Sequence, residues 1–418
     1  MSRIHKIDSR RCLVGGVGRL LGTLLVAGTL VALSGVASGA GADGAGGERA
    51  DGPPPVTIGF LNEQQGPISF PTFGAGAQAA RIYIDDHGGI DGRKLDFLDC
   101  YTDGSTTSAV ACANRFVQAH VPAVLEGISI GSDAAVPVLA GAGIPLVGHT
   151  AFGNVQSNSP DAFFFGAATG AYDVVPLEVM KRDLHVSSVT YMAATNAQDR
   201  GFVTDDSEPA AKALGLQYRA IYYNGTSPDF QSTVGSAIAT GARALFFTAP
   251  ESTCTSLVSA IRTLSYKGAI FAGSCSAFIK ADPSGADGVF TASDLYVPDD
   301  TTGVPARARA QIRIYVKAMR GYAPQYTQGF AQDPFSATMD LATALGKIRG
   351  SIDASSVLQV LRHIDGQMSF MGQRLDCNGK QWPGERAACA SGLIEYQVHN
   401  GKRVMYTKGF VDGETLVE

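Results

Sequence analysis

Ala77, Ala80 and Ile84 recur at helical spacing, and the polar positions between them give one apolar face to a helix running from about Gly74 to Asp86. Gly88 and Gly89 end it, because glycine takes the left-handed conformation that lets the last helical carbonyls be capped. Asp91-Gly92 then supplies a tight turn into a strand from Leu95 to Cys100. The same reading predicts strands near Val56–Asn62, Ala123–Glu126 and Leu146–Gly148, with helices around Thr106–Ala119 and from Asp133 between them. A second alternation starts near Tyr172, with strands near Ser188–Ala193, Gln217–Tyr223, Ala244–Thr248 and Ile270–Ala272. Two such runs predict an α/β protein with two doubly wound, mostly parallel sheets flanked by helices. After Val297 the pattern turns helical near Pro305–Arg320, Phe335–Ile348 and Ala354–His363, then gives a cysteine-bracketed loop and a hairpin-like pair turning at Asn400-Gly401.

At 418 residues the chain exceeds one ordinary core, so at least two domains are expected. The first forty residues hold a basic start, an apolar run from Leu20 to Leu33 and small residues up to Ala40, the order of a signal peptide. Ser9-Arg10-Arg11-Cys12-Leu13-Val14 resembles the twin-arginine export motif; an ordinary secretory signal with a basic start is the alternative. Left uncleaved, the run would tether the chain to a membrane. Residues 41–55 are rich in Gly and Ala and end in Pro53-Pro54-Pro55, which reads as a linker that stiffens before the first strand. Without residues 1–40 the chain carries 28 basic against 37 acidic side chains, a net charge of −9, and a basic face for nucleic acid is not expected. Once Cys12 leaves with the signal, the remaining cysteines are an even set: Cys100, Cys112, Cys254, Cys275, Cys377 and Cys389. Export favours disulfides, and pairing of sequence neighbours is the simplest of the alternatives, giving Cys100–Cys112, Cys254–Cys275 and Cys377–Cys389. Metal binding is the weaker reading, since no two are spaced as Cys-x-x-Cys.

Read in order, Val56-Thr57-Ile58-Gly59-Phe60, Gly66-Pro67, the first helix, Gly88-Gly89-Ile90-Asp91-Gly92-Arg93-Lys94-Leu95 and Gly143-Ile144-Pro145-Leu146 resemble the periplasmic leucine/isoleucine/valine-binding protein family of ABC-importer receptors. The resemblance implies a type I periplasmic-binding fold whose chain crosses three times between two hinged lobes. On that basis residues 56–168 with 298–388 are expected to form one lobe, and 169–297 with 389–418 the other.

Ligands of open α/β sheets bind beyond the carboxyl ends of the strands, which directs attention to five loops. Ser69 and Phe70 follow the first strand, while Gly131 and Ser132 open the helix after the third, where Ser132 or Asp133 also suits an N-cap. The family places a carboxylate-binding serine pair near Ile130 to Ser132, and here the match rests mainly on Ser132, or on Ser129 in a shifted alignment. The next loop is His149-Thr150-Ala151-Phe152; the resemblance assigns Thr150 and Ala151 to a ligand carboxylate, whereas Phe152 stands where a threonine is common. In the second run, Arg200, Glu251 and Ser274 occupy the corresponding positions. Relatives that bind aliphatic amino acids carry an aromatic and an acid where Arg200 and Cys275 stand. Arg200 therefore favours a more acidic ligand, and Glu251 is the substitute partner for an ammonium.

These features predict an exported, non-enzymatic solute receptor that binds a small polar ligand, an amino acid or a related acid or amide, and works as a monomer with an importer permease in the membrane. Neither a cofactor nor a metal is expected. A sensory domain on the same fold is an alternative. So is a serine hydrolase, because Gly127-Ile128-Ser129-Ile130-Gly131 matches the nucleophile-elbow pattern, with Asp340 and His363 as the later acid and histidine.

Overall fold

The computed structural model describes residues 53–66 and 68–413. The predicted signal peptide, the linker up to residue 52, Pro67 and residues 414–418 lie outside the described residues. The first alternation forms β1 (Val56–Glu63), α1 (Pro71–Asp86), β2 (Leu95–Thr102), α2 (Thr106–Gln118), β3 (Val124–Glu126), α3 (Val136–Gly141), β4 (Leu146–Gly148), α4 (Asn154–Asn158) and β5 (Ala162–Ala167). The second forms α5 (Ala171–Arg182), β6 (Ser188–Ala194), α6 (Ala197–Gly201), α7 (Glu208–Ala213), β7 (Gln217–Tyr223), α8 (Phe230–Ala239), β8 (Ala244–Phe246), α9 (Glu251–Thr263), β9 (Ala269–Phe271), α10 (Ala277–Ala281), α11 (Pro283–Ala286) and β10 (Phe290–Ser293). Then come α12 (Ala306–Tyr322), α13 (Gln332–Leu345), α14 (Ala354–Arg362), β11 (Asp365–Met368), β12 (Arg374–Asp376), β13 (Ala388–Ala390), β14 (Gly392–His399), β15 (Lys402–Met405) and β16 (Val411–Asp412).

Two large sheets result and repeat one plan, while β11 and β12 form a separate antiparallel pair. The first is parallel in the order β13-β5-β4-β3-β1-β2. In the second, β10-β9-β8-β6-β7 runs parallel in the matching order, and β14 adds antiparallel to β10 with β15 and β16 beside it. In both, strand order reverses on either side of the first strand, between β1 and β3 and between β6 and β8, which is where a doubly wound sheet opens a crevice. The chain passes between the sheets three times, after β5, after β10 and at Ser391 between β13 and β14. The last passage falls later than the expected boundary at 388/389, because β13 keeps pairing with β5 as far as Ala390 opposite Ala167.

Each sheet buries both faces, as parallel sheets must. Ile58, Phe60, Leu125 and Phe165 pack on the helices α13 and α14, while Leu61, Phe116, Leu146 and Phe164 close the other face. A further core joins Ala79 and Ala80 of α1, Tyr315 of α12 and Phe335 of α13 to the passage Leu295 to Val297 and to Ile394 and Tyr396 of β14. The late helices thus pack against the first sheet's α1 while touching a strand of the second.

Two glycines make this geometry. Gly89 has φ +65° and turns so tightly that a Cβ there would run into the backbone carbonyl of Arg93. Gly76 lets α1 settle onto the start of α13, where a Cβ would collide with the carbonyl oxygen of Ala331 and stand 2.9 Å from Pro334 Cγ. Gly76→Val should destabilise the fold by roughly 1–3 kcal/mol through overpacking, read as a lower urea midpoint at unchanged slope.

The cysteines pair as Cys100–Cys112, Cys254–Cys275 and Cys377–Cys389. The last bridge closes a loop that reaches across to the first passage between the sheets. There Glu385 accepts hydrogen bonds from the backbone N–H groups of Thr169 at 2.9 Å and Gly170 at 2.8 Å. Trp382, only 2% exposed, joins the core of the second sheet beside Ala167, Ala171 and Val174.

Candidate functional site

Every loop singled out in the sequence leaves the carboxyl end of a strand. Ser69 and Phe70 follow β1, Gly131 and Ser132 follow β3, Thr150 to Phe152 follow β4, Arg200 follows β6, Glu251 follows β8 and Ser274 follows β9. The side chains are employed very differently. Ser69 is exposed, and Phe70 is half-buried with its ring edge-on to Phe73 at 6.0 Å. Ser132 is fully buried: its hydroxyl donates to the carbonyl of Ser129 at 2.6 Å and accepts from Gln156 Nε2. Gly131 packs against the backbone of Gly104 and Ser105. These two residues shape the loop under the crevice and present no hydroxyl to it. Next to them Glu126 is buried, and burial pushes its carboxyl up to about 7 against the pull of the Ser132 hydrogen bond.

Thr150 is half-buried, and its hydroxyl has no protein hydrogen-bond partner among the described residues. Ala151 is buried, with its carbonyl taken by the Thr169 hydroxyl at 2.8 Å. Phe152 is 39% exposed, and its N–H donates to Gln156 Oε1. On the second sheet's side, Arg200 lies exposed just ahead of a π-helical turn, Phe202–Ser207, and its guanidinium sits 4.4 Å over the ring of Tyr222. It forms no ion pair with a carboxylate among the described residues, so its charge is available to an anion. Glu251 is committed to its own lobe: its carboxylate accepts from the N–H groups of Ser276 and Ala277 and from the Ser276 hydroxyl, which caps the start of α10. It thereby positions the loop that carries Ser274.

Where the sides meet lies a pocket of about 20 Å³, room for one water-sized particle. Ser274, Ser276, Ser293 and Tyr172 line it from the second sheet's side, and Phe330, Gln332 and Asp333 line it from the start of α13, with Asp294 and Arg403 beside them. Arg403 is engaged by Asp299 at 3.0 Å through both Nε and Nη2. His149 is 3% exposed and places Nε2 3.0–3.1 Å from the two carboxylate oxygens of Asp294. Burial alone would lower the His149 pKa, but the adjacent Asp294 outweighs it and holds the imidazole near 9. Asp294 is likewise penalised by burial, yet His149 keeps it below the usual carboxylate range.

Of these residues, Tyr172, Asp294, Phe330, Gln332, Asp333 and Arg403 were not singled out by sequence. They come from separate segments whose convergence no local spacing records. Only Pro334 is a local cue, since a proline in the first turn places the start of α13 before it and draws Gln332 and Asp333 into that turn.

The hydrolase reading fails on geometry. Ser129 is fully buried with its hydroxyl on Thr102 at 2.9 Å, Asp340 is held by Ser369 at 2.6 Å and the N–H of Phe370 at 2.9 Å, and His363 Nδ1 meets the carbonyl of Gln359 at 2.7 Å. The three take different partners and form no relay.

No curated protein matches the chain. Among solved structures, the leucine binding protein LivK of Thermotoga maritima is 16% identical with a TM-score of 0.69, covering 86% of this chain and 99% of its own. The branched-chain amino acid transporter substrate binding protein LivJ of Streptococcus pneumoniae, in complex with isoleucine, is 19% identical with a TM-score of 0.67 over 86% and 99% of the two chains. An ABC transporter substrate-binding protein from Sphaerobacter thermophilus gives 15% and 0.72 over 86% and 98%. These establish the type I fold. The profile described as periplasmic binding protein matches residues 55–384, and the chain belongs to that family.

Proposed function

We propose that this chain is an exported solute-binding receptor of an ABC importer, which closes by hinge rotation on a small polar ligand, an amino acid or related acid or amide, and delivers it to a membrane permease. The observation that carries the reading is the duplicated sheet plan, whose two sets of carboxyl-end loops face one another across a common crevice. A pocket of about 20 Å³ admits no amino acid, so entry requires the lobes to part. The three passages between the sheets are the segments about which they would turn. Closure is favoured to the extent that the ligand touches both sides, so affinity and population shift share one origin. Among the described residues no helix is long and apolar enough to cross a membrane, and the predicted signal would place the chain outside the cytoplasm.

Thr150 and Ser274 are the hydroxyls proposed to reach the ligand from opposite sides, Arg200 the group that favours an acidic function, and Glu251 the residue that holds the Ser274 loop in place. A thermal-shift screen of amino acids, small acids, amides and aromatics tests the reading. A true ligand at about a hundred times its dissociation constant stabilises the fold by roughly 2.7 kcal/mol. Thr150→Val and Arg200→Ala should each weaken its binding by roughly 1–3 kcal/mol. A ligand whose affinity ignores both changes would relocate the site.

A further inference from the structure

One corner of the pocket between the sheets, where Asp294, Gln332 and Asp333 line it, gathers acceptors, and His149 stands beside them. Asp294 and Asp333 each offer a carboxylate oxygen, His149 offers a ring nitrogen, and these three atoms lie within 4.8 Å of one another. Gln332, 4% exposed, lines the same pocket, and its Oε1 is buried with no hydrogen-bond partner. Arg403, which also lines the pocket, is already engaged by Asp299. A simple histidine–aspartate pair satisfies Asp294 and leaves the buried Gln332 oxygen without a partner. Two carboxylates, an amide oxygen and an imidazole that gives up its proton on binding metal together carry the charge that a dication neutralises.

We propose that His149, Asp294 and Asp333, with Gln332 as a fourth donor, bind one divalent metal ion between the two sheets. The separations suit it: donors bonded at about 2.1 Å in a tetrahedral or octahedral shell stand about 3.0–3.5 Å apart, and His149 Nε2 is already 3.0–3.1 Å from the Asp294 oxygens. The remaining separations, up to 4.8 Å, would have to shorten on binding, and Asp333 is only half-buried. A donor set mixing imidazole with carboxylates and an amide oxygen selects Mn²⁺ or Zn²⁺ over Mg²⁺ or Ca²⁺, which prefer oxygen alone. The site joins the loop after β4 to the second passage between the sheets and to α13, so the ion would tie together segments that meet at the crevice. This inference does not depend on the identity of the organic ligand or on an importer.

The full chain, stripped with chelator and dialysed against MnCl₂ or ZnCl₂, should retain one equivalent of metal. Its melting temperature should rise with either metal and not with MgCl₂. Asp333→Asn should weaken retention at least about tenfold, whereas Asp86→Asn, an exposed acid on α1, should leave it unchanged. Nitrogen coupling in the pulsed electron-spin spectrum of bound Mn²⁺ should vanish in His149→Gln. If His149→Gln does not fold, the half-buried Asp333 variant decides the matter alone. Failure to retain either metal stoichiometrically, or retention that Asp333→Asn leaves intact, overturns the proposal.

Discussion

Reducing the three disulfides should lower the stability of the folded chain by as much as about 9 kcal/mol. The bridges close loops of 12, 21 and 12 residues in separation. Each removes roughly 3 kcal/mol of freedom from the unfolded chain on the entropy model. Their placement argues for independent contributions: Cys100–Cys112 joins β2 to α2, Cys254–Cys275 joins α9 to the loop after β9, and Cys377–Cys389 joins the end of β12 to β13. Distant sites add, so each Cys-to-Ala pair should move the urea midpoint by a comparable step. Cys254–Cys275 closes the longest loop and is the most deeply buried pair, 0% and 1% exposed, so its removal also leaves a small void and should give the largest step. Coincident denaturation curves for the oxidised and reduced chain would contradict the crosslinks.

A buried carboxyl in β14 gives the second large effect. Glu395 is fully buried and neither side-chain oxygen has a hydrogen-bond partner. Burial pushes its pKa up to about 8 from the ordinary 4.5. The sign follows from linkage. Below pH 4.5 both states hold the proton and no difference exists; between there and pH 8 the unfolded chain releases it while the folded chain keeps it. Stability therefore falls as pH rises through that window, by about 1.4 kcal/mol per pH unit from this group, and levels off above it. Glu395→Gln removes the titration and should flatten the curve, so wild type and variant diverge with rising pH. Urea midpoints measured from pH 5 to 8 as about half-unit steps would show it; curves that stay parallel would place the carboxyl in a wetter site than its burial indicates.

Sequence pattern made much of the scaffold legible and little of the site. Segments bounded by clear turn and cap residues were found nearly whole: β4 and β7 occupy the predicted residues, and β1, β2 and α2 differ by one or two at their ends. The strand β5 was not foreseen. Phe163, Phe164 and Phe165 are all buried between helices on both faces, and a continuous apolar run carries no period to distinguish strand from helix. Likewise β10 is short and buried throughout. At the site, chain position alone put Thr150, Arg200 and Ser274 at strand ends. Ser132 and Glu251 carry the right chemistry but spend it on Gln156 and on α10, a distinction that depends on neighbours remote in sequence. The acid cluster was invisible for a related reason. His149, Asp294 and Asp333 acquire their proximity only when the chain has crossed between the sheets and returned.

The loop between Cys377 and Cys389 also makes the molecule its own optical gauge. The chain contains a single tryptophan, and Trp382 lies in that loop, buried where the chain first passes from one sheet to the other and pressed against Gly170 and Asp206. Intrinsic tryptophan emission therefore arises from one indole, at a point where the proposed rotation of the lobes would alter its surroundings. The proposed closure would thus be open to observation in the unmodified protein, in real time and without dyes, and a stopped-flow trace would separate the rate of ligand encounter from the rate of closing.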